Sequence, residues 1–239
     1  MVFINTGKTI RFNRFFREDG RTLIAALDHG GEDALIDGIE NLGDVLDKVI
    51  RGGIDAVLIN EGALVRYSGD IKGRVPVVLN IPLSKGFVVH ALSLGADAVK
   101  TTYFGEIPLE QSVADRMRTV AKEALDYGIP YINELIVLEN GAVSNNPVSV
   151  ARGARVAAEY GADIVKTSYV SNFKIVTESV PVPVIIAGGG AQGTNIKEVL
   201  TDVIRNGGAG GAIGRNIFQS PDPKKTVEEL IKIVHGGGK

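Results

Sequence analysis

Short apolar runs rich in β-branched residues alternate along the chain with longer amphipathic stretches. The runs are TLIAAL 22–27, DAVLIN 55–60, VPVVLNI 75–81, DAVKTTYF 97–104, PYINELIVL 130–138, DIVKTSYV 163–170, VPVIIAGG 182–189 and GGAIGRN 210–216. Each reads as a strand. Several stretches between them read as helices: NNPVSVARGARVAAEYG 145–161, with Pro147 near its start and Gly161 after its end, TNIKEVLTDVIRNGG 194–208 and DPKKTVEELIKIVHGGG 222–238. Strands alternating with helices mean a parallel sheet, and eight such pairs predict closure into an α/β fold of the (β/α)8 TIM-barrel type. The 239 residues suit one such barrel as a single domain, 1–239. The tripeptides Gly53–Asp55, Gly95–Asp97 and Gly161–Asp163 precede strands, where helix C-caps and short loops are needed.

Composition narrows the function. Charged residues make up 23% of the chain and the net charge is −2, so no broad cationic face is expected and nucleic acid is not an expected partner. No apolar stretch approaches the roughly 20 residues that span a bilayer, and MVFINTGKTIRFNRFFREDG does not resemble a signal peptide. A soluble, cytoplasmic protein with no membrane partner is expected. Cysteine is absent and the histidines are three, at 29, 90 and 235, which argues against a metal site. No cofactor is expected. Residues 1–20, with the basic and aromatic RFNRFFRE 11–18, are expected to close the barrel bottom or to pack against another subunit, and a homo-oligomer is expected.

Two copies of one phrase carry the candidate chemistry: GADAVKTTYFG 95–105 and GADIVKTSYVS 161–171. They place Lys100 and Lys166 toward the C-terminal ends of the fourth and sixth strands, where barrel enzymes build their sites. Strands two apart lie about 10 Å from each other, a gap that two lysine side chains can bridge. A lysine buried there can attack a carbonyl as a neutral amine and form a Schiff base, given a depressed pKa from desolvation or a second cation. Lys100 and Lys166 could supply this to each other. The plainer alternative is a duplicated half-barrel whose lysines only pair with carboxylates. Proton transfer during imine formation needs a carboxylate, and LIAALDHGG 23–31 offers Asp28 and His29 where the first strand ends; Asp28 could equally cap a loop.

IIAGGGAQGTN 185–195 and AIGRNIFQS 212–220 leave the seventh and eighth strands. In this fold those two turns, with the start of a short helix, form the recurrent phosphate site. Gly188, Gly189, Gly214 and Arg215 are the expected phosphate binders.

LDHG on the first strand, GADIVKTSY on the sixth, AGG on the seventh and GRNIFQSPDP after the eighth resemble the archaeal-type class I aldolases. That family includes fructose-bisphosphate aldolases, aminodideoxyheptulosonate synthases and a thiolase acting on an autoinducer phosphate. The resemblance covers nearly the whole chain. It implies a lyase with Lys166 as the Schiff-base lysine, Asp28 as a proton-handling or carbinolamine-stabilising carboxylate, and a phosphorylated sugar or ketone held by the strand 7 and 8 glycines and Arg215. Lys100 has no counterpart in the family pattern. The family's aldolases carry a tyrosine near the end of the fifth strand as acid/base; counted without gaps from Pro130, Leu135 takes its place. Glu134, Tyr103 and Tyr169 are candidates for its task, with strand alternation weighing against Glu134 if Leu135 faces inward. Thiolase or transaldol activity stays open, as does a catalytically inactive phosphosugar-binding barrel. The loop after the third strand, LNIPLSKGF 79–87, is shorter than expected for a fructose-bisphosphate enzyme. Glu61 could line the mouth. His90 is expected to be structural, and His235 to complement the terminal helix dipole.

Overall fold

The computed structural model describes residues 5–33, 36–188 and 195–236. Eight parallel strands, β1 (Thr22–Ala26), β2 (Ala56–Ile59), β3 (Val77–Asn80), β4 (Ala98–Gly105), β5 (Tyr131–Glu139), β6 (Ile164–Thr167), β7 (Val184–Gly188) and β8 (Gly210–Ile213), form the sheet. Each pairs with its sequence neighbours, β1 pairs with β8 and β4 with β5, so the sheet closes on itself. All eight expected strands are present, and the barrel is a single domain. The three expected helices are Pro147–Glu159, Ile196–Arg205 and Pro223–Gly236. Asn146 and Asn195 start the first two by accepting hydrogen bonds from the Val148 and Lys197 amides, at 2.9 and 3.0 Å.

Alternation along the strands divides the apolar residues into two cores. Ile24, Ala56, Leu58, Val78, Ala98, Ile132, Ile164 and Ile185 fill the barrel with Phe12, Phe15 and Phe16 of the N-terminal segment. Leu23, Val57, Leu79, Val99, Val165 and Ile186 face outward with residues of the surrounding helices. Both faces of the sheet are therefore buried, as in parallel sheets generally.

The helix Thr6–Phe15 lies at the N-terminal end of the barrel. Lys8 pairs with Asp163, Arg14 with Asp97 and Arg17 with Asp55, each at 2.6 Å. The same three aspartates accept backbone N–H groups of the neighbouring strands: Asp55 from Leu23 at 2.7 Å, Asp97 from Val77 at 3.0 Å and Asp163 from Tyr131 at 2.9 Å. The Gly-x-Asp tripeptides thus do more than end helices. Their glycines take positive φ, as at Gly161 with +94°, and their carboxylates tie each strand to the strand before it and to the N-terminal helix.

His235, in the last turn of the terminal helix, reaches the same region, with Nδ1 2.8 Å from Asp19 and Nε2 2.9 Å from Asp55. Burial opposes its charge, but the hydrogen bonds to Asp55 and Asp19 outweigh it and hold its pKa above the ordinary histidine value. A raised folded-state pKa means stability that is fully present below about pH 6.5, the unfolded value, and is lost as pH rises through the folded value. His235→Gln is therefore expected to lower Tm more at pH 6 than at pH 9 in thermal melts; an equal loss at both would remove the charge from the account.

Candidate active site

Along each strand the inward positions continue the parity of the inner core. Near the C-terminal ends they turn from apolar to polar: Asp28 after β1, Lys100 and Thr102 on β4, Glu134 on β5 and Lys166 on β6 all line one cavity of about 260 Å³. His29, Ser168, Gly188, Gly214 and Arg215 line it too. A larger surface cleft of about 490 Å³, bordered by Glu106, Glu139 and Arg152, has no lysine in its lining. Chemistry, not size, selects the site.

Glu134 is its hub. Lys166 Nζ lies 2.7 Å from Glu134 Oε1, and Lys100 Nζ lies 2.9 Å from Glu134 Oε2. Lys100 also sits 3.0 Å from Asp28 Oδ2 and donates to Thr102 Oγ1 at 2.6 Å, while that hydroxyl donates to Glu134 Oε2 at 3.0 Å. In the parallel registers Thr102 lies beside Glu134 and Glu134 beside Lys166, so strand geometry sets these contacts. Asn60 supports Asp28, donating to its backbone carbonyl at 2.6 Å and accepting from Asn80 at 2.9 Å. Two carboxylates and two ammonium groups are enclosed together, with Lys100 1% exposed and Lys166 6%.

Burial alone would raise the Glu134 pKa, but the ammonium groups of Lys166 and Lys100 overcome it and hold the carboxyl down at about 2. For Lys100, burial works to lower the pKa, and the charges of Glu134 and Asp28 outweigh it and raise it above the ordinary lysine value. Lys100 is thus held as an ammonium by two carboxylates, whereas Lys166 touches one.

Gly188 and Gly214 also line the cavity. A Cβ at Gly188 would come 2.7 Å from Ile213 Cα, so only glycine lets β7 and β8 approach as they do. Gly214 precedes the short helix Arg215–Phe218, and a Cβ there would strike the His29 ring at 2.3 Å. His29 packs edge-on against Phe218, with ring centroids 5.4 Å apart, and its Nδ1 lies 3.8 Å from Asp28 Oδ1. Arg215 is exposed at the rim. Gly189 lies outside the described residues.

Several expectations need correction. Leu135 does not face the cavity: it lies in the outer core against the helix Pro147–Glu159, where a Cβ on Gly153 would meet it. Ile132, Glu134 and Ile136 of β5 face inward, so alternation favours Glu134, and Ile136 is the last β5 residue that lines the cavity. Tyr103 shares the outward register of Leu135, and Tyr169 faces away to bond Asp202 at 3.0 Å. Lys100 and Lys166 do not act on each other directly; they bind opposite oxygens of one carboxylate. Glu61 lies on the flanking helix Glu61–Arg66 and pairs with exposed His90 at 2.9 Å, away from the cavity. Thr102, Asn60 and Asn80 carry no sequence motif, since single small polar residues at strand ends are common, and their roles come only from these contacts. Among the described residues, no group of three or more His, Asp or Glu side chains is placed to hold a metal ion, and no helix is long and apolar enough to cross a membrane.

Proteins of similar sequence and fold are aldolases and related synthases. The 2-amino-3,7-dideoxy-D-threo-hept-6-ulosonate synthase 1 of Archaeoglobus fulgidus is 33% identical over 249 residues, covering 98% of this chain and 94% of its own. The crystal structure of an archaeal fructose 1,6-bisphosphate aldolase superposes with a TM-score of 0.83 at 27% identity, over 96% of this chain and 99% of that one. A Schiff-base-forming fructose-1,6-bisphosphate aldolase gives 0.82 at 27% identity, over 95% and 99%. Residues 22–220 match the DeoC/LacD aldolases, and with this match over most of its length the chain belongs to the DeoC/LacD family of aldolases.

Proposed function

We propose that the protein is a class I aldolase that makes or breaks a C–C bond of a phosphorylated keto sugar or ketone through an imine on Lys166. The observation that carries this is the unequal sharing of Glu134 and Asp28 between the lysines. Lys100, held by both carboxylates, stays charged; Lys166 has one partner, 2.7 Å away, which takes its proton transiently and uphill from the resting ion pair as the ketone docks. Moving that proton to Glu134 leaves a neutral amine, a neutral acid and an intact Lys100–Asp28 pair. The amine attacks the ketone carbon, and Glu134 returns the proton to the carbinolamine hydroxyl, which leaves as water. The iminium then faces an ionised Glu134 once more and draws the electron pair of the breaking C–C bond, while Asp28 takes the proton of the substrate hydroxyl as its C–O becomes a carbonyl. Reprotonation of the enamine and attack of water release the ketone product. Gly188, Gly214 and Arg215 hold the phosphate, and His29, wedged against Gly214, borders it.

The neighbours support this reading through their names: one forms a Schiff base and the archaeal relatives act on fructose 1,6-bisphosphate or make an aminodideoxyheptulosonate. A second reading, a transaldol or thiolase-type reaction, is favoured by Leu135, which takes the place of the family's tyrosine but lies in the outer core, and by Ile136, the last β5 residue lining the cavity, since neither can serve as acid/base. We take the enzyme to be cytoplasmic, in keeping with its cysteine-free chain. The test is borohydride trapping with a panel of phosphorylated ketones and aldehydes, followed by peptide mass mapping. A reduced adduct on the peptide containing Lys166 is expected, its mass naming the donor. Phosphosugar binding without an adduct on either lysine would sink the imine and leave an inactive binding barrel.

A further inference from the structure

The wall of the cavity opposite Gly214 is formed by the long strands β4 and β5. β4 and β5 run on beyond the site, paired residue by residue from Val99 and Tyr131 to Gly105 and Val137. β5 then turns back through a two-residue strand, Ala142–Val143, which places Val143 opposite Leu138. Glu139 fastens this hairpin by accepting hydrogen bonds from Ser144 and Ser149, at 2.7 and 2.5 Å.

The inner face of this wall is apolar. Phe104 lies beside Ile136 in the β4–β5 register, and both line the cavity together with Val143. Phe104 and Val143 are each 53% exposed, an uncovered area of apolar side chain over a site otherwise crowded with charge. Nothing in the fold requires them there: neither side chain belongs to either core. In an eight-stranded barrel β4 stands across from β8, so a substrate whose phosphate rests on Gly214 and Arg215 directs its other end at Phe104, Ile136 and Val143. That end would meet no hydrogen-bonding side chain from these three residues, and hydroxyls buried against them would lose their water partners without replacement. Among the described residues lining the cavity, Arg215 is the one arginine or lysine besides Lys100 and Lys166.

We infer that the substrate is a monophosphate whose phosphate-distal half is apolar, an alkyl or aromatic group, and that Phe104, Ile136 and Val143 select it. This deepens the proposed aldolase reading and rests on it for the location of the site. A matched pair of unreactive probes tests it: n-hexyl phosphate and sorbitol 6-phosphate share the phosphate and the six-carbon chain and differ in hydroxylation. Isothermal titration of the full chain is expected to show n-hexyl phosphate binding about tenfold tighter or more. Phe104→Ser and Val143→Ser, both at exposed positions, should each shrink that ratio. Equal or weaker binding of n-hexyl phosphate, or a ratio unmoved by both substitutions, would overturn the inference. Neither probe carries a carbonyl, so the outcome does not depend on imine formation. A missing Lys166 adduct beside an intact n-hexyl preference would remove the imine and keep the apolar wall; the converse would keep the aldolase and remove the wall.

Discussion

Replacing Lys166 by Met is expected to abolish the borohydride-stable adduct and to lower turnover by roughly 10⁴-fold or more, the scale seen when a covalent nucleophile is removed. At about 1.36 kcal/mol per tenfold, that is a barrier higher by about 5 kcal/mol. Stability should suffer far less, because Glu134 keeps Lys100 at 2.9 Å and the Met side chain fills most of the vacated volume. The combination is what separates a nucleophile from a structural cation. If adduct persisted in this variant and mapped to Lys100, the roles of the two lysines would have to be exchanged. If turnover fell only in proportion to a lost folded fraction, Lys166 would be no more than an ion-pair partner.

Replacing Lys100 by Met is expected to do the opposite. Asp28 and Glu134 would share an enclosed site with Lys166 as the one remaining ammonium, and stripping a partner from a buried ion pair costs about 3–5 kcal/mol. For a chain of this size that lowers Tm by roughly 6–20 °C. The pH dependence supplies a readout that lost packing would not move. In the native protein the low Glu134 pKa of about 2 means stability present above the unfolded carboxylate value and lost as pH falls through the folded one. Without Lys100 that pKa rises, and acid unfolding should begin at higher pH. If the Lys100 charge tunes the trapping reaction, its loss should also raise the pH for half-maximal adduct formation. A destabilised variant with an unchanged trapping profile would reduce Lys100 to a structural counter-ion.

The two substitutions also bear on why the site uses a carboxylate between two lysines. Direct apposition, as the repeated phrase suggested, would let each ammonium depress the other's pKa. The observed arrangement places Glu134 between them, so one lysine is locked as a cation while the other sits next to a proton acceptor. Lys100, Thr102 and Asp28 thereby orient Glu134 without facing the carbonyl themselves in the proposed first step.

Much of this protein was determined by its sequence alone. Eight strand-length apolar runs alternating with amphipathic segments specify a parallel barrel, because each run must be covered by the helix that follows it. The repeated GAD-V-K phrase marked the strand ends where Lys100 and Lys166 meet Glu134, and the glycine after β8 marked a further part of the cavity lining. Tertiary structure decided which way β5 faces. Its residues 131–137 are buried on both sides, so INELIV shows no apolar-polar alternation from which to read an inward parity. Only the register with β4 and β6 places Glu134 beside Thr102 and Lys166 and sends Leu135 outward. The same is true of Lys8, Arg14 and Arg17: their aspartate partners lie 38 to 155 positions away in sequence, and closure of the barrel brings them together. Local patterns state what a segment is; a carboxylate shared by side chains from several strands exists only once the sheet has closed.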